Sequence, residues 1–230
     1  PWIPPDEYLP ILVLTADATR GARERALAGG AHDFLNKPLE EVETLLRIHE
    51  PGYVDFLRSA YARWLEDGHD GSMLPSGFPA RSLRQDRVPS GINGAMGHYA
   101  FDAGSPIMAG TWAAAFAAAR CAITAAARVS EGAGAAYALC RPPGHHAARS
   151  VYGGYCYLNN AALAAQELRD RGAARVAVLD VDYHHGNGTQ DIFWERDDVL
   201  LVSIHGTPET EYPYFLGYAD ERGAGAGEGH

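Results

Sequence analysis

The chain has 230 residues, enough for one large α/β domain or two small ones, and its 47% hydrophobic content is sufficient to build a core. A formal net charge of −10 argues against a nucleic-acid-binding surface and favours cationic partners. Three cysteines, Cys121, Cys140 and Cys156, are odd in number and lack metal-type spacing, which argues against a disulfide framework; they read as core thiols of a reducing, cytoplasmic compartment. No basic stretch precedes an apolar one, so a signal peptide is not expected. The alanine run from Ala113 to Ala127 is short, weakly apolar and broken by Arg120, so a membrane span is not expected either.

In chain order, Ile11 to Thr15 is a short apolar run suited to a buried strand. Ala18 to Ala28 has helical composition and ends at Gly29 and Gly30, as helices often do. Asp33 to Asn36 predicts a second strand, and Lys37-Pro38 a turn, so the stretch is a β-α-β unit with parallel strands. The sequences LVLTA and GGAHDFLNKP resemble the end of a bacterial response-regulator receiver domain, in which the residues matching Thr15 and Lys37 act on an aspartyl phosphate. The phosphoacceptor and the acidic pair of that family have no counterpart here. Residues 1–44 are therefore expected to be a receiver-like C-terminal fragment, a remnant unable to transfer phosphoryl groups. A receiver-type phosphosignalling module is the competing reading.

Residues 45–230 have a different character. Leu65 to Gly97 is rich in Gly, Pro, Ser and charge and predicts a long loop or insertion. A helix of small residues is predicted over Thr111–Ser130, and a short strand over Ala135–Cys140 that leads into RPPGHHA. A helix over Leu158–Arg171 stops at Gly172; strands follow over Arg175–Asp182 and Val199–His205. Strands alternating with helices imply an α/β fold, a three-layer parallel sheet with helices on both faces.

Ligands of open parallel sheets bind beyond the carboxyl ends of the strands. Three predicted strands end there in polar clusters: RPPGHH, DYHHGNG and IHGTPE. They bring His145, His146, His184, His185, Asp180 and Asp182 to one edge. Asp180, Asp182 and His184 alternate at period two, so an extended chain points all three to one side. Carboxylate oxygen with imidazole nitrogen suits zinc or another divalent transition metal. The bland alternative is a hydrogen-bonded polar edge, but burying so many ionisable groups unpaired is costly. Two adjacent histidines after Pro142, Pro143 and Gly144 suit metal ligation or general acid/base work. In GGYCYLNN, Gly153 and Gly154 bring backbone close to a neighbour, Tyr155 and Tyr157 offer aromatic walls, and Asn159 or Asn160 caps the next helix.

Taken in order, RPPGHHA, GGYCYLNNAA, VLDVDYHHGNGTQ and VSIHG resemble the arginase/deacetylase superfamily, and more narrowly the histone deacetylase family with its acetylpolyamine amidohydrolase branch. The resemblance implies Asp182 and His184 as zinc ligands. His145 and His146 would be the general base and general acid, with Asp180 and Asn187 fixing their tautomers. Gly154 and Tyr155 would line the substrate channel. Ser203, with the carbonyls of Asp180, Asp182 and His184, would hold a structural potassium ion. His185 is expected to be a packed structural histidine. The third zinc ligand, an aspartate, and the oxyanion-stabilising tyrosine of the family have no match here, and Tyr212, Tyr214 and Tyr218 lie in the wrong segment for that tyrosine. The chain is therefore expected to be an incomplete form, truncated at the C-terminus.

The segment GHYAFDAGSPIMAGTW, the 65–97 insertion and the acidic charge favour a small cationic acylated amine over acetyl-lysine of histone-like proteins. In that branch the insertion also builds a homodimer contact. A non-catalytic protein that holds the acylamine without turnover is a further alternative.

Overall fold

Val176–Asp180 (β2) forms the middle of a parallel sheet because its continuous apolar run can be buried from both sides. The computed structural model describes residues 11–14, 42–82 and 84–229. Ile11–Leu14 (β1) pairs with β2 along one edge and Val199–Ser203 (β3) along the other, both parallel. The register sets Leu14, Asp180 and Ser203 side by side at the carboxyl end. Residues 15–41 lie outside the described part, and with them Thr15, Lys37 and the predicted helix and second strand of the receiver-like segment.

The helices are Pro51–Glu66 (α1), Ile92–Tyr99 (α2), Thr111–Ser130 (α3), Asn160–Asp170 (α4) and Asn187–Phe193 (α5). In α3, Ala115, Ala118, Ala119, Ala122, Ile123 and Ala126 are buried at helical spacing, and this small-residue stripe seats the helix closely against α4. Helix α4 is buried on several sides because it lies between α3 and β2. It starts at an N-cap, Asn159, whose side chain accepts from Ala162 N at 2.9 Å, and it is followed by Gly172 in the left-handed region. Helix α1 buries Tyr53, Val54, Phe56 and Leu57, and the Tyr53 hydroxyl donates to the Tyr157 carbonyl at 2.6 Å. Each fully buried aromatic or aliphatic side chain contributes about 2 kcal/mol of transfer free energy. Leu200 and Val202 on β3, and Ile204 just past its end, are exposed.

Several expectations require correction. The predicted loop over 65–97 begins inside α1 and ends inside α2. Glycines at 91, 94 and 97 conceal α2 from a propensity reading, yet Gly97 is there for packing. A Cβ on it would fall 1.7 Å from the Gly77 carbonyl oxygen, so only glycine lets that loop cross the helix. Residues 135–140 form no ladder with another strand among the described residues, and Tyr137 and Leu139 are exposed. Strand β2 ends at Asp180 rather than Asp182, because the Asp182 N–H turns back to Asp180 Oδ1 at 3.0 Å. Of the three cysteines Cys156 is buried, Cys140 half-buried and Cys121 exposed, so Cys121 is not a core thiol.

Candidate active site

The tandem histidines sit in a loop whose backbone is fixed residue by residue. The His145 carbonyl accepts from Gly188 N at 3.0 Å and Thr189 N at 3.1 Å, at the start of α5. The Ala147 carbonyl accepts from the Asn159 side chain at 2.9 Å. The Ala148 carbonyl accepts from His49 Nδ1 at 3.0 Å, and His49 Nε2 accepts from Asn159 N at 3.0 Å. These bonds assign the His49 tautomer, and burial pushes its pKa down to about 4, so it is a neutral structural link. His49, Asn159 and Thr189 were not picked out by sequence reasoning as supports of the site.

Each catalytic-candidate imidazole is oriented by its own acceptor. His145 Nδ1 donates to Asp180 Oδ2 at 2.8 Å, and Asp180 is wholly buried. His146 Nδ1 donates to Asn187 Oδ1 at 2.7 Å. A carboxylate oxygen and an amide oxygen both act as acceptors here, so Nδ1 is the donor in each pair, and neither Nε2 makes a hydrogen bond among the described residues. The rings lie 4.0 Å apart between centroids. Burial, with the neighbouring His145, pushes His146 down to about 4.

Asp182 and His184 complete the edge. His145 Nε2 lies 4.0 Å from Asp182 Oδ1, so its ring stands between the carboxylates of Asp180 and Asp182. His184 Nδ1 lies 3.5 Å from the same Asp182 oxygen, and His184 is half-buried. A carboxylate oxygen and an imidazole nitrogen this close, reachable from solvent, fit part of the coordination sphere of a divalent ion such as zinc. Among the described residues no group of three or more His, Cys, Asp or Glu side chains is disposed to hold a metal.

His185 is buried as expected, between Ser203 Oγ at 3.3 Å and the Gln190 side chain. The Ser203 hydroxyl is directed to His205 Nδ1 at 2.7 Å, and the Asp180 carbonyl accepts from Ile204 N at 2.9 Å.

Gly154 and Tyr155 form one wall beside His146. Gly154 has φ 54°, and a Cβ there would lie 2.2 Å from His146 Cδ2, so glycine is required on both counts. Tyr155 has φ 63° and is exposed. Tyr212 adjoins two of the histidines, meeting His146 edge-on at 5.0 Å and His184 at 5.9 Å between centroids. Sequence reasoning considered Tyr212 only for another role and did not find Asp102, which its hydroxyl contacts at 2.6 Å. The Asp-Ala-Gly-Ser turn, where Gly104 N donates to Asp102 Oδ1 at 3.0 Å, is the one local signal that could have singled Asp102 out.

Residues 17–230 match the histone deacetylase domain family. The match starts inside the 1–44 segment. Acetylpolyamine amidohydrolase 1 of Pseudomonas aeruginosa is 60% identical over 188 residues, covering 81% of this chain and 54% of that protein. Acetylpolyamine amidohydrolase of Mycoplana ramosa is 48% identical over 200 residues, covering 87% and 58%. The crystal structure of acetylpolyamine aminohydrolase from Burkholderia pseudomallei superposes with a TM-score of 0.79 at 45% identity, covering 91% of this chain and 61% of that one. The chain thus spans about half the length of the curated relatives it matches. No helix among the described residues is long and apolar enough to cross a membrane.

Proposed function

The chain belongs to the histone deacetylase domain family, and we propose that it serves the hydrolysis of the acetyl-amide of an acetylated polyamine or another small acylated amine. The observation that carries this reading is the pair of imidazoles, each with Nδ1 committed to its own acceptor and Nε2 without a hydrogen bond among the described residues, set beside the Asp182–His184 pair. The names of the relatives support the substrate class, and the net charge of −10 suits a cationic amine.

Asp182 and His184 would hold zinc, which when bound polarises the amide carbonyl and raises the acidity of water. Amide hydrolysis also needs a group to take a proton from water and a group to give one to the departing amine. His145 and His146 offer two such nitrogens on adjacent residues. Asp180 backs His145 with a carboxylate acceptor, whereas the Asn187 amide orients His146 with a neutral one. Burial keeps His146 neutral and makes it a weaker base than an ordinary imidazole. Gly154, Tyr155 and Tyr212 wall the approach and would hold the acyl-amine stem away from water. A potassium ion at the carbonyls of Asp180, Asp182 and His184 with Ser203 belongs to the same proposal; the Ser203 hydroxyl would then turn away from His205. So does a homodimer contact through residues 65–97, where Leu65, Leu74, Phe78 and Val88 are exposed.

The test is kcat/KM of the zinc-loaded protein for N-acetylputrescine against an acetyl-lysine peptide of a histone tail. A preference of about tenfold or more for the acetylated diamine, about 1.4 kcal/mol in transition-state binding, supports the reading. The reverse preference replaces the substrate class with acetyl-lysine proteins.

A further inference from the structure

The Asp102 carboxylate joins Gly154 and Tyr212, both of which lie against the His146 ring. Its Oδ2 accepts from Gly154 N at 2.7 Å and from the Tyr212 hydroxyl at 2.6 Å. Its Oδ1 accepts from Gly104 N at 3.0 Å and from Ser105 Oγ at 3.2 Å. Ser105 is wholly buried, and its hydroxyl oxygen in turn accepts from Tyr155 N at 2.9 Å. The hydrogen-bond directions are consistent throughout, since every group facing the carboxylate is a donor.

The two residues so held are in the left-handed region, which is unfavourable for Tyr155 and must be imposed by surrounding contacts. Gly154 packs on the His146 ring, and Tyr212 meets the same ring edge-on. Burial and the Asp102 carboxylate hold the Tyr212 phenol well above its ordinary range, so it remains a donor.

We propose that Asp102 is the positioning residue of the cleft: one carboxylate, working with Ser105, clamps the Gly154–Tyr155 wall and Tyr212 at a fixed separation over His146. The inference rests on the proposed function only in taking this cleft as the site of the acylated amine. Asp102 has four donors on its two oxygens, so it acts through the walls rather than as a ligand of the substrate. Asp102→Asn cannot keep all four, because its amide nitrogen must face donors on one side.

The experiment measures backbone amide exchange and steady-state kinetics on the full chain, zinc-loaded for the kinetics. Asp102→Asn is expected to speed exchange at the Gly154 and Tyr155 amides while leaving α4 protected. It is expected to raise KM for N-acetylputrescine about tenfold with a smaller change in kcat. Tyr212→Phe is expected to raise KM less, and the Asp102→Asn/Tyr212→Phe double variant to be no worse than Asp102→Asn, because Asp102 acts partly through Tyr212 and the two share one hydrogen bond. Should Asp102→Asn fail to fold, Ser105→Ala keeps the carboxylate and is expected to speed exchange at Tyr155 alone. Unchanged exchange at 154–155, or a double variant whose KM effect is the product of the single effects, overturns the clamp. A wild-type protein that releases no acetate while the exchange contrast holds overturns the functional reading and leaves the clamp standing.

Discussion

Asn187 Oδ1 accepts from His146 Nδ1 at 2.7 Å, while the adjacent His145 donates to a carboxylate, Asp180, at 2.8 Å. Two neighbouring imidazoles are thus oriented alike but backed differently, one by a neutral amide and one by a charge. Asn187→Ala leaves His146 free to change tautomer and to rotate. Its kcat for acetate release is expected to fall about 10- to 100-fold with little change in KM. Initial rates over a range of N-acetylputrescine concentrations check this.

Asp180→Ala removes the acceptor of a partly buried imidazole and leaves the Asp182 N–H without its turn partner. The loss is expected in both activity and fold, with destabilisation of about 2 to 4 kcal/mol. Urea unfolding of wild type and variant at the same pH measures it. A change below about 0.5 kcal/mol contradicts the assigned role.

Gly154→Ala places a methyl group against the His146 ring in a left-handed conformation. The variant is expected to lose about 2 kcal/mol or more of stability, together with most of its activity. Thermal unfolding and acetate release read the two effects separately.

His49 makes stability depend on pH. Its folded pKa, about 4, lies below the ordinary 6.5. Between these values the unfolded chain binds a proton that the folded chain does not, so stability is fullest above pH 6.5 and falls as pH drops toward 4. The full span corresponds to about 3 kcal/mol. His49→Gln keeps an amide able to hydrogen-bond but cannot ionise. The wild-type minus variant difference in unfolding free energy is expected to shrink as pH falls through this window; a constant difference contradicts the assignment.

Much of the site was legible because its residues lie in short runs whose local geometry is simple. RPPGHH and DVDYHHGN carry the family resemblance that implied both imidazole–acceptor pairs, and helix α3 was readable from end to end, since neither glycine nor proline interrupts it. Legibility failed where long-range packing decides. Period two predicted one extended face from Asp180 to His184, but the Asp182 N–H turns back to Asp180 and ends the strand. Gly97 reads as a helix breaker and is instead a packing residue. Asp102 and Tyr212 are 110 positions apart, and no local pattern announces that they meet. Residues 135–140 carry a strand-like composition without a partner among the described strands.

The measurement closest to the central claim is mass spectrometry of acetate released from N-acetylputrescine by the zinc-loaded protein in ¹⁸O-labelled water. Hydrolysis by the His145–His146 pair predicts one labelled oxygen per acetate formed on first turnover in wild type, and loss of that product in His145→Ala and His146→Ala. A zinc-loaded wild type that yields no labelled acetate, or variants that yield as much as wild type, contradicts the account.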